Sequence, residues 1–298
     1  EEEVPVFLNE GPLIDYSEEM RRFIQDISSY ARSVKPDFTI VVENGDTLIV
    51  KTDPTNDELL MPARSFVKSV DGILAIGVNY GWKSYATLTP ERRLKSRLNL
   101  LSRARSDGLA VCVVDLIDDR NAIQKGYAAS ESKGFVYHSI SKNSLEDAIL
   151  TDYPQRPFNE SPKSIVSLRE VKNFAIIGNS SFYGREDEYA LHMHKQNYDM
   201  LIVDPFHGRE PLSRQAVETL KYKQVGSSRM VLARIDIGVA ASYLYYWQNM
   251  WQPGMPPWLS APLHNDPDRY YVQYWRPEWK DIIYGDAASF IYALIYQG

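Results

Sequence analysis

Four apolar runs of this 298-residue chain end in a carboxylate: VVE at Glu43, VVD at Asp115, IVD at Asp204 and RID at Asp236. Paired carboxyl groups are the apparatus of glycoside hydrolysis, one protonating the leaving oxygen and the other acting as base or nucleophile. Singly, a strand-end acid caps the next helix or solvates a loop; four in equivalent places point to one shared pole. Asp204 and Asp236 are the leading candidates, with Glu43 and Asp115 behind them. Asn44, directly after Glu43, and His207, just past Asp204, are candidate substrate contacts, against the plain reading of His207 as a loop hydrogen-bonder.

The aromatic residues are unevenly placed. Trp247, Trp251, Trp258, Trp275 and Trp279 crowd one proline-rich segment with six tyrosines between Tyr243 and Tyr274. Aromatic faces stack on the apolar face of a pyranose. A long loop also has to pack on something, so the same rings form a small core of their own in the alternative reading. Trp247, Trp275 and Trp279 are the candidates for a sugar-facing wall.

Other chemistries lack their residues. His192 and His194, two apart on a helix, face different ways and have no acid nearby in sequence, so no metal is expected. Cys112 stands alone in the apolar run 109–114 and reads as a core thiol, with no disulfide and no multi-cysteine zinc site. Neither a G-x-S-x-G nucleophile turn nor a glycine-rich phosphate loop occurs, and no cofactor is expected. A net charge of −6 argues against a nucleic-acid partner, and the run Arg92-Arg93-Lys95-Arg97 reads as a solvated helix face. No stretch approaches the roughly 18 to 20 uncharged apolar residues of a membrane span, and residues 1–30 lack the pattern of a signal peptide.

The acids need a frame that brings strand ends together. Ser17 with Glu18 and Glu19 predicts a helix start, and the spacing of Met20, Phe23, Ile24, Ile27 and Ala31 predicts an amphipathic helix over 18–33. A strand over 38–42 follows. Leu59, Leu60, Ala63, Phe66, Val67 and Val70 make a second helical stripe ahead of the buried run 72–78. Thr89-Pro90-Glu91 opens a helix that ends at Gly108, 109–114 is a strand, a helix spans about 120–132, and 135–138 is a strand. Residues 151–163, with three prolines, are the candidate linker. The alternation then resumes: strand 174–177, helix near 185–196, strand 200–203, helix near 213–223, strand 230–235. Seven buried strands alternating with helices predict an α/β fold with parallel strands, best matched by a (β/α)8 TIM-type barrel forming one domain over 1–298.

Specific strings carry a resemblance. KNFAIIGNSSF at 172–182, YDMLIVDPF at 198–206, RIDIGVAASYLYYW at 234–247 and YVQYWRPEWKDIIYG at 271–285 resemble, in that order, the front half of the glycosidase-like relatives of the family 114 endo-α-1,4-polygalactosaminidases. PDFTIVVENGD at 36–46, VDGILAIG at 70–77, LAVCVVDLIDD at 109–119 and GFVYHSI at 134–140 resemble the family's back half. The halves, 1–150 and 164–298, stand in exchanged order. The resemblance therefore implies a circularly permuted barrel, or the end of one barrel joined to the start of the next, without the family's acidic fourth strand; residues 4–8 (VPVFL) are a weak substitute. It assigns Asp204, Tyr243, Trp247, Tyr274, Trp275 and Trp279 to the site. Two departures blunt that site: Ile76 stands where the family carries its acid, and Gly238-Val239-Ala240-Ala241 replaces a strand end with two glutamates. The implied activity is hydrolysis or binding of an amino-sugar-containing polysaccharide outside the cytoplasm, with a non-catalytic carbohydrate-binding barrel as the second reading and a scaffold protein as the third.

Overall fold

The structure is a computed structural model that describes residues 14–264 and 266–298. Residues 4–8, the weak substitute strand, lie outside the described residues. Helix α1 (Tyr16–Val34) is capped by Asp15, whose carboxylate accepts from Glu18 N at 3.0 Å, so Asp15 rather than Ser17 is the cap. Its apolar stripe buries Phe23, Ile24, Ile27 and Ala31. Strand β1 (Val41–Glu43) leads into a hairpin of β2 (Val50–Asp53) and β3 (Asn56–Pro62), then short helix α2 (Arg64–Ser69) and strand β4 (Gly72–Ile76). Helix α3 (Glu91–Ser106), β5 (Ala110–Leu116), α4 (Arg120–Glu131) and β6 (Val136–Ile140) complete the first run. The second run is β7 (Phe174–Ile177), α5 (Glu186–His194), β8 (Met200–Val203), a two-residue pair β9 (Phe206–His207) and β10 (Glu210–Pro211), α6 (Arg214–Leu220) and β11 (Met230–Ala233). An antiparallel unit of β12 (Val239–Ala241), β13 (Leu259–Leu263) and β14 (Asp266–Val272), then α7 (Pro277–Ile283) and α8 (Phe290–Gln297), ends the chain.

The fold is mixed α/β with two parallel sheets, ordered β1-β4-β5-β6 and β11-β8-β7. One apolar interior serves both. Leu74, Cys112, Val114, Ile140, Phe174, Ile176, Met200 and Ile202 pack in a single cluster, with Val41, Met230 and Leu232 against it. The opposite rows of the strands face helices in separate outer clusters. This is why residues 110–114 form a continuous apolar run: both faces are covered. No hydrogen-bonded ladder closes the two sheets into a ring among the described residues, and no helix among them is long and apolar enough to cross a membrane.

Three expectations are corrected. The stripe from Leu59 to Val70 is not one helix: residues 56–62 pair with β2, which leaves Leu59 and Leu60 exposed, and the helix begins only at Arg64, past Pro62. The aromatic segment is not merely a loop but the antiparallel β12-β14-β13 sheet. Arg97 is buried rather than solvated. It donates to Asp46, to Ile76 O and to Asn44 Oδ1, locking the turn after β1. Residues 151–163 hold no helix or strand, yet they are fastened: the fully buried Lys223 Nζ donates to Ser161 O and Lys163 O at 3.0 Å and to Asp199 Oδ1 at 2.6 Å.

Candidate functional site

Alternation along the strands decides which strand-end acids meet. Val41, Ile202 and Leu232 lie in the inward rows of β1, β8 and β11. Two positions further along the same rows come Glu43, Asp204 and Arg234. On β5 the inward residues are Cys112 and Val114, whereas Val111 and Val113 pack outward. Asp115 continues the outward row. It is 1% exposed and accepts from Asn79 N and Nδ2, both at 2.8 Å, from Tyr80 N at 3.2 Å and from the Tyr137 hydroxyl at 3.1 Å. Burial pushes its pKa up in spite of these donors. Asp115 is thus an anchor for the loop after β4, not a member of the pole.

The other three acids converge on two arginines. Arg234 Nε donates to Glu43 Oε2 at 2.7 Å and its Nη1 to Glu146 Oε1 at 3.1 Å. Arg269 Nη2 donates to Asp236 Oδ2 at 2.9 Å, with its Nη1 3.5 Å from Glu146 Oε1. Asp204 sits in the field of this network and accepts from Phe206 N at 2.9 Å. Burial raises the Asp204 pKa and Glu146 adds to the rise, against the Phe206 amide and the two guanidinium groups. Burial opposes ionisation of Glu146 too, but Arg234 and Arg269 hold its carboxyl below the ordinary range. Tyr243 adjoins the same charges, is 39% exposed, and has the Arg209 guanidinium 5.9 Å from its ring centroid. The result is one acid, Asp204, inclined to keep its proton beside another, Glu146, that is held ionised. That is the division of labour acid–base chemistry on a glycosidic oxygen uses.

Glu146, Arg234 and Arg269 escaped the sequence reading. Arg234 carried a signal, since it continues the inward row of β11. Glu146 lies in an irregular stretch after β6, and Arg269 lies on β14 inside the segment taken for a loop. The stretch holding Glu146 is pinned by close backbone approach: Gly178 N donates to Ala148 O at 2.9 Å, and a Cβ on Gly178 would lie 1.8 Å from Leu145 O.

The remaining candidates make hydrogen bonds and ring contacts within the fold. Asn44 has φ 51° and its Oδ1 accepts from Ile76 N at 3.0 Å and Arg97 Nη2 at 2.6 Å, so its side chain is committed to the turn. His207 Nδ1 lies 3.0 Å from Ser180 Oγ, the loop hydrogen bond of the plain reading. Trp279 is completely buried, donates to Ile237 O at 2.9 Å and packs beside Trp258 and Tyr246. It is core, because its indole fills the space between α1 and the β12–β14 sheet. Trp247 packs on Trp251 and Tyr270, Trp275 on Tyr16 and Tyr274, and the Tyr274 hydroxyl donates to Tyr16 O at 2.8 Å. Of the five rings considered for a wall, Tyr243 is the one that stands with the acids.

A cleft of about 410 Å³ opens on the same pole, at the loops after β4, β5, β6 and β7. Tyr85, Asp118, Lys142, Asp147, Asn179 and Phe182 line it. It adjoins the acid network: Asp147 follows Glu146, and Asp204 N donates to Ile177 O at 3.0 Å, two residues before Asn179. Among the described residues, no group of three or more His, Cys, Asp or Glu side chains is placed to hold a metal ion.

No protein-family model matches the chain. It is similar to an uncharacterized protein of Methanocaldococcus jannaschii, 34% identical over 144 residues, which are 46% of this chain and 40% of the relative. An uncharacterized protein of Deinococcus radiodurans is 33% identical over 93 residues, 30% of this chain and 28% of the relative. An uncharacterized protein of Thermotoga maritima is 25% identical over 116 residues, 39% of this chain and 34% of the relative. The chain spans less than half the length of each of these relatives.

Proposed function

We propose that the two parallel sheets are parts of a (β/α)8-type barrel whose strand-end pole engages an amino-sugar-containing polysaccharide of the α-1,4-galactosaminan type, in the manner of a glycoside hydrolase. The observation that carries this reading is the gathering of Glu43, Glu146, Asp204 and Asp236 with Tyr243 beside a polar cleft. Barrel enzymes build their sites at this pole. Three arginine-paired carboxylates, Glu43, Glu146 and Asp236, against two guanidinium groups leave the network net negative even with Asp204 protonated, which favours a cationic sugar. In hydrolysis, Asp204 gives its proton to the glycosidic oxygen as the anomeric C–O bond breaks. Water supplies the hydroxyl to the anomeric carbon and loses its proton to Asp236.

A specific observation favours a second reading, binding without cleavage. Arg269 occupies Asp236, and Arg234 occupies Glu43 and Glu146. A carboxylate held by arginine in this way is not free to turn onto an attacking water, so the network serves recognition better than bond breaking. Incubating a partly deacetylated α-1,4-galactosaminan with the chain and with Asp204→Asn separates the two by mass spectrometry. Shortened oligomers that vanish with Asp204→Asn establish hydrolysis. An intact polymer that shifts the tryptophan emission establishes binding. An intact polymer with unchanged emission overturns the proposal.

A further inference from the structure

Helix α3 distributes its charges unlike α1. Its buried side carries Arg97, Leu101 and Ala104. At 3.6 residues per turn the opposite side is Arg92, Lys95, Ser96, Asn99 and Arg103, a stripe about 16 Å long without an acid. Glu91 and Asp107 stand only at the two ends of the helix. A face that is merely solvated intersperses both signs, as α1 does: Arg21 meets Glu18 at 2.8 Å and Arg22 meets Glu19 at 3.0 Å. On α3 Arg103 has only Asp107, at 3.9 Å, and among the described residues no carboxylate comes within 4.0 Å of Lys83, Arg92, Arg93 or Lys95. Like charges three apart on a helix repel, so the stripe costs α3 stability that a partner of opposite charge returns. The loop before the helix extends the patch. Lys83 Nζ and the Arg93 guanidinium lie 4.6 and 5.0 Å from the Trp82 ring centroid, which gathers two cations at one indole. Leu88, bridged to Tyr80 across the same loop, is 63% exposed.

We propose that α3 and the loop 80–90 dock this chain on an anionic lipid bilayer, with Lys83, Arg92, Arg93, Lys95 and Arg103 against the phosphate headgroups and Leu88 entering the acyl boundary. Charge complementarity sets the sign of the partner. The whole chain carries a net charge of −6, so attraction to an anionic surface comes from this local patch and not from the molecule at large. The exposed leucine sets its kind. A nucleic-acid duplex has no apolar layer to receive it, whereas cations flanking an apolar side chain are the arrangement of segments that lie in a membrane interface. No helix among the described residues is long and apolar enough to cross the bilayer, and the contact is peripheral.

The test is cosedimentation of the full chain with vesicles of phosphatidylcholine containing about one-third phosphatidylglycerol, and with vesicles of phosphatidylcholine alone. The chain should pellet with the first and not with the second, and raising the salt from about 0.05 M to about 0.5 M should release it. Lys83→Gln combined with Arg92→Gln and Lys95→Gln should weaken binding about a hundredfold, and Leu88→Ser about fivefold. All four side chains are exposed, so the denaturation midpoints of both variants should match the parent's. Arg185→Gln, which removes an exposed arginine paired to Asp187 at the start of α5, should bind as the parent does. Failure to pellet with the anionic vesicles, equal pelleting with both compositions, or a triple variant that binds like the parent overturns the proposal. Binding to a DNA duplex in place of the anionic vesicles overturns it too.

Discussion

His138 sits on the inward row of β6, fully buried, with neither ring nitrogen hydrogen-bonded in the structure and with Phe174 and Tyr198 as ring neighbours. Burial lowers its pKa from 6.5 to about 4. The unfolded chain therefore takes up a proton near pH 6.5 that the folded chain refuses until about 4, and stability falls as the pH drops through that window. The whole limb amounts to about 3 kcal/mol. Urea denaturation between pH 7 and 4 should show the decline, and His138→Leu should flatten it; an unchanged pH slope in the variant would rule out His138 as the cause. Asp204 has the opposite sign. Its raised pKa means that the folded state binds more protons than the unfolded one, so Asp204→Asn should raise the denaturation midpoint at neutral pH and lose that advantage below the ordinary carboxylate pKa.

At the scale of elements, much was legible because burial imposes a period. The strands at 174–177 and 200–203 and helix α4 follow directly from apolar runs and their spacing. The β2–β3 hairpin did not, because LL before P-A-R-S-F-V mimics a helical stripe while local pairing with β2 turns both leucines to solvent. This difference is measurable. Leu60→Ser should change stability by less than about 0.5 kcal/mol, whereas Phe66→Ala, 1% exposed on α2, should cost about 3 to 5 kcal/mol by chemical denaturation. The site was half legible. Strand ends revealed the acids, but the inward or outward face of each strand decided which of them joined, and Asp115 lay on the wrong row. The partners of those acids came from an irregular stretch and from a strand with no clear period, where sequence spacing carries no direction. The aromatic cluster was legible as a unit, but not which of its rings, Trp258 and Trp279, are buried as core, since composition does not say which side of a ring is covered.

For the molecule as a whole, ion pairs join parts distant in sequence at both poles. At the strand-start pole the Asp199–Lys223 pair is fully buried and ties residues 161–163 to β8 and to the turn before β11. Lys223→Met should cost about 3 to 5 kcal/mol by leaving a buried carboxylate uncompensated, and adding Asp199→Asn should recover part of the loss. At the opposite pole Arg234 joins β11 of one sheet to Glu43 of the other. No apolar periodicity signals such links, which is why the parallel strands were readable from their apolar runs but the fastening between the sheets was not. The arginines have one more consequence. Because the chain supplies its own counter-charges to Glu43, Glu146 and Asp236, on the proposed polysaccharide reading a single sugar arriving there gains little that is not already provided. Tight engagement must then come from length, with each further unit of a polymer adding a weak contact at high effective concentration. On that reading the pole counts residues of a chain rather than holding a monosaccharide.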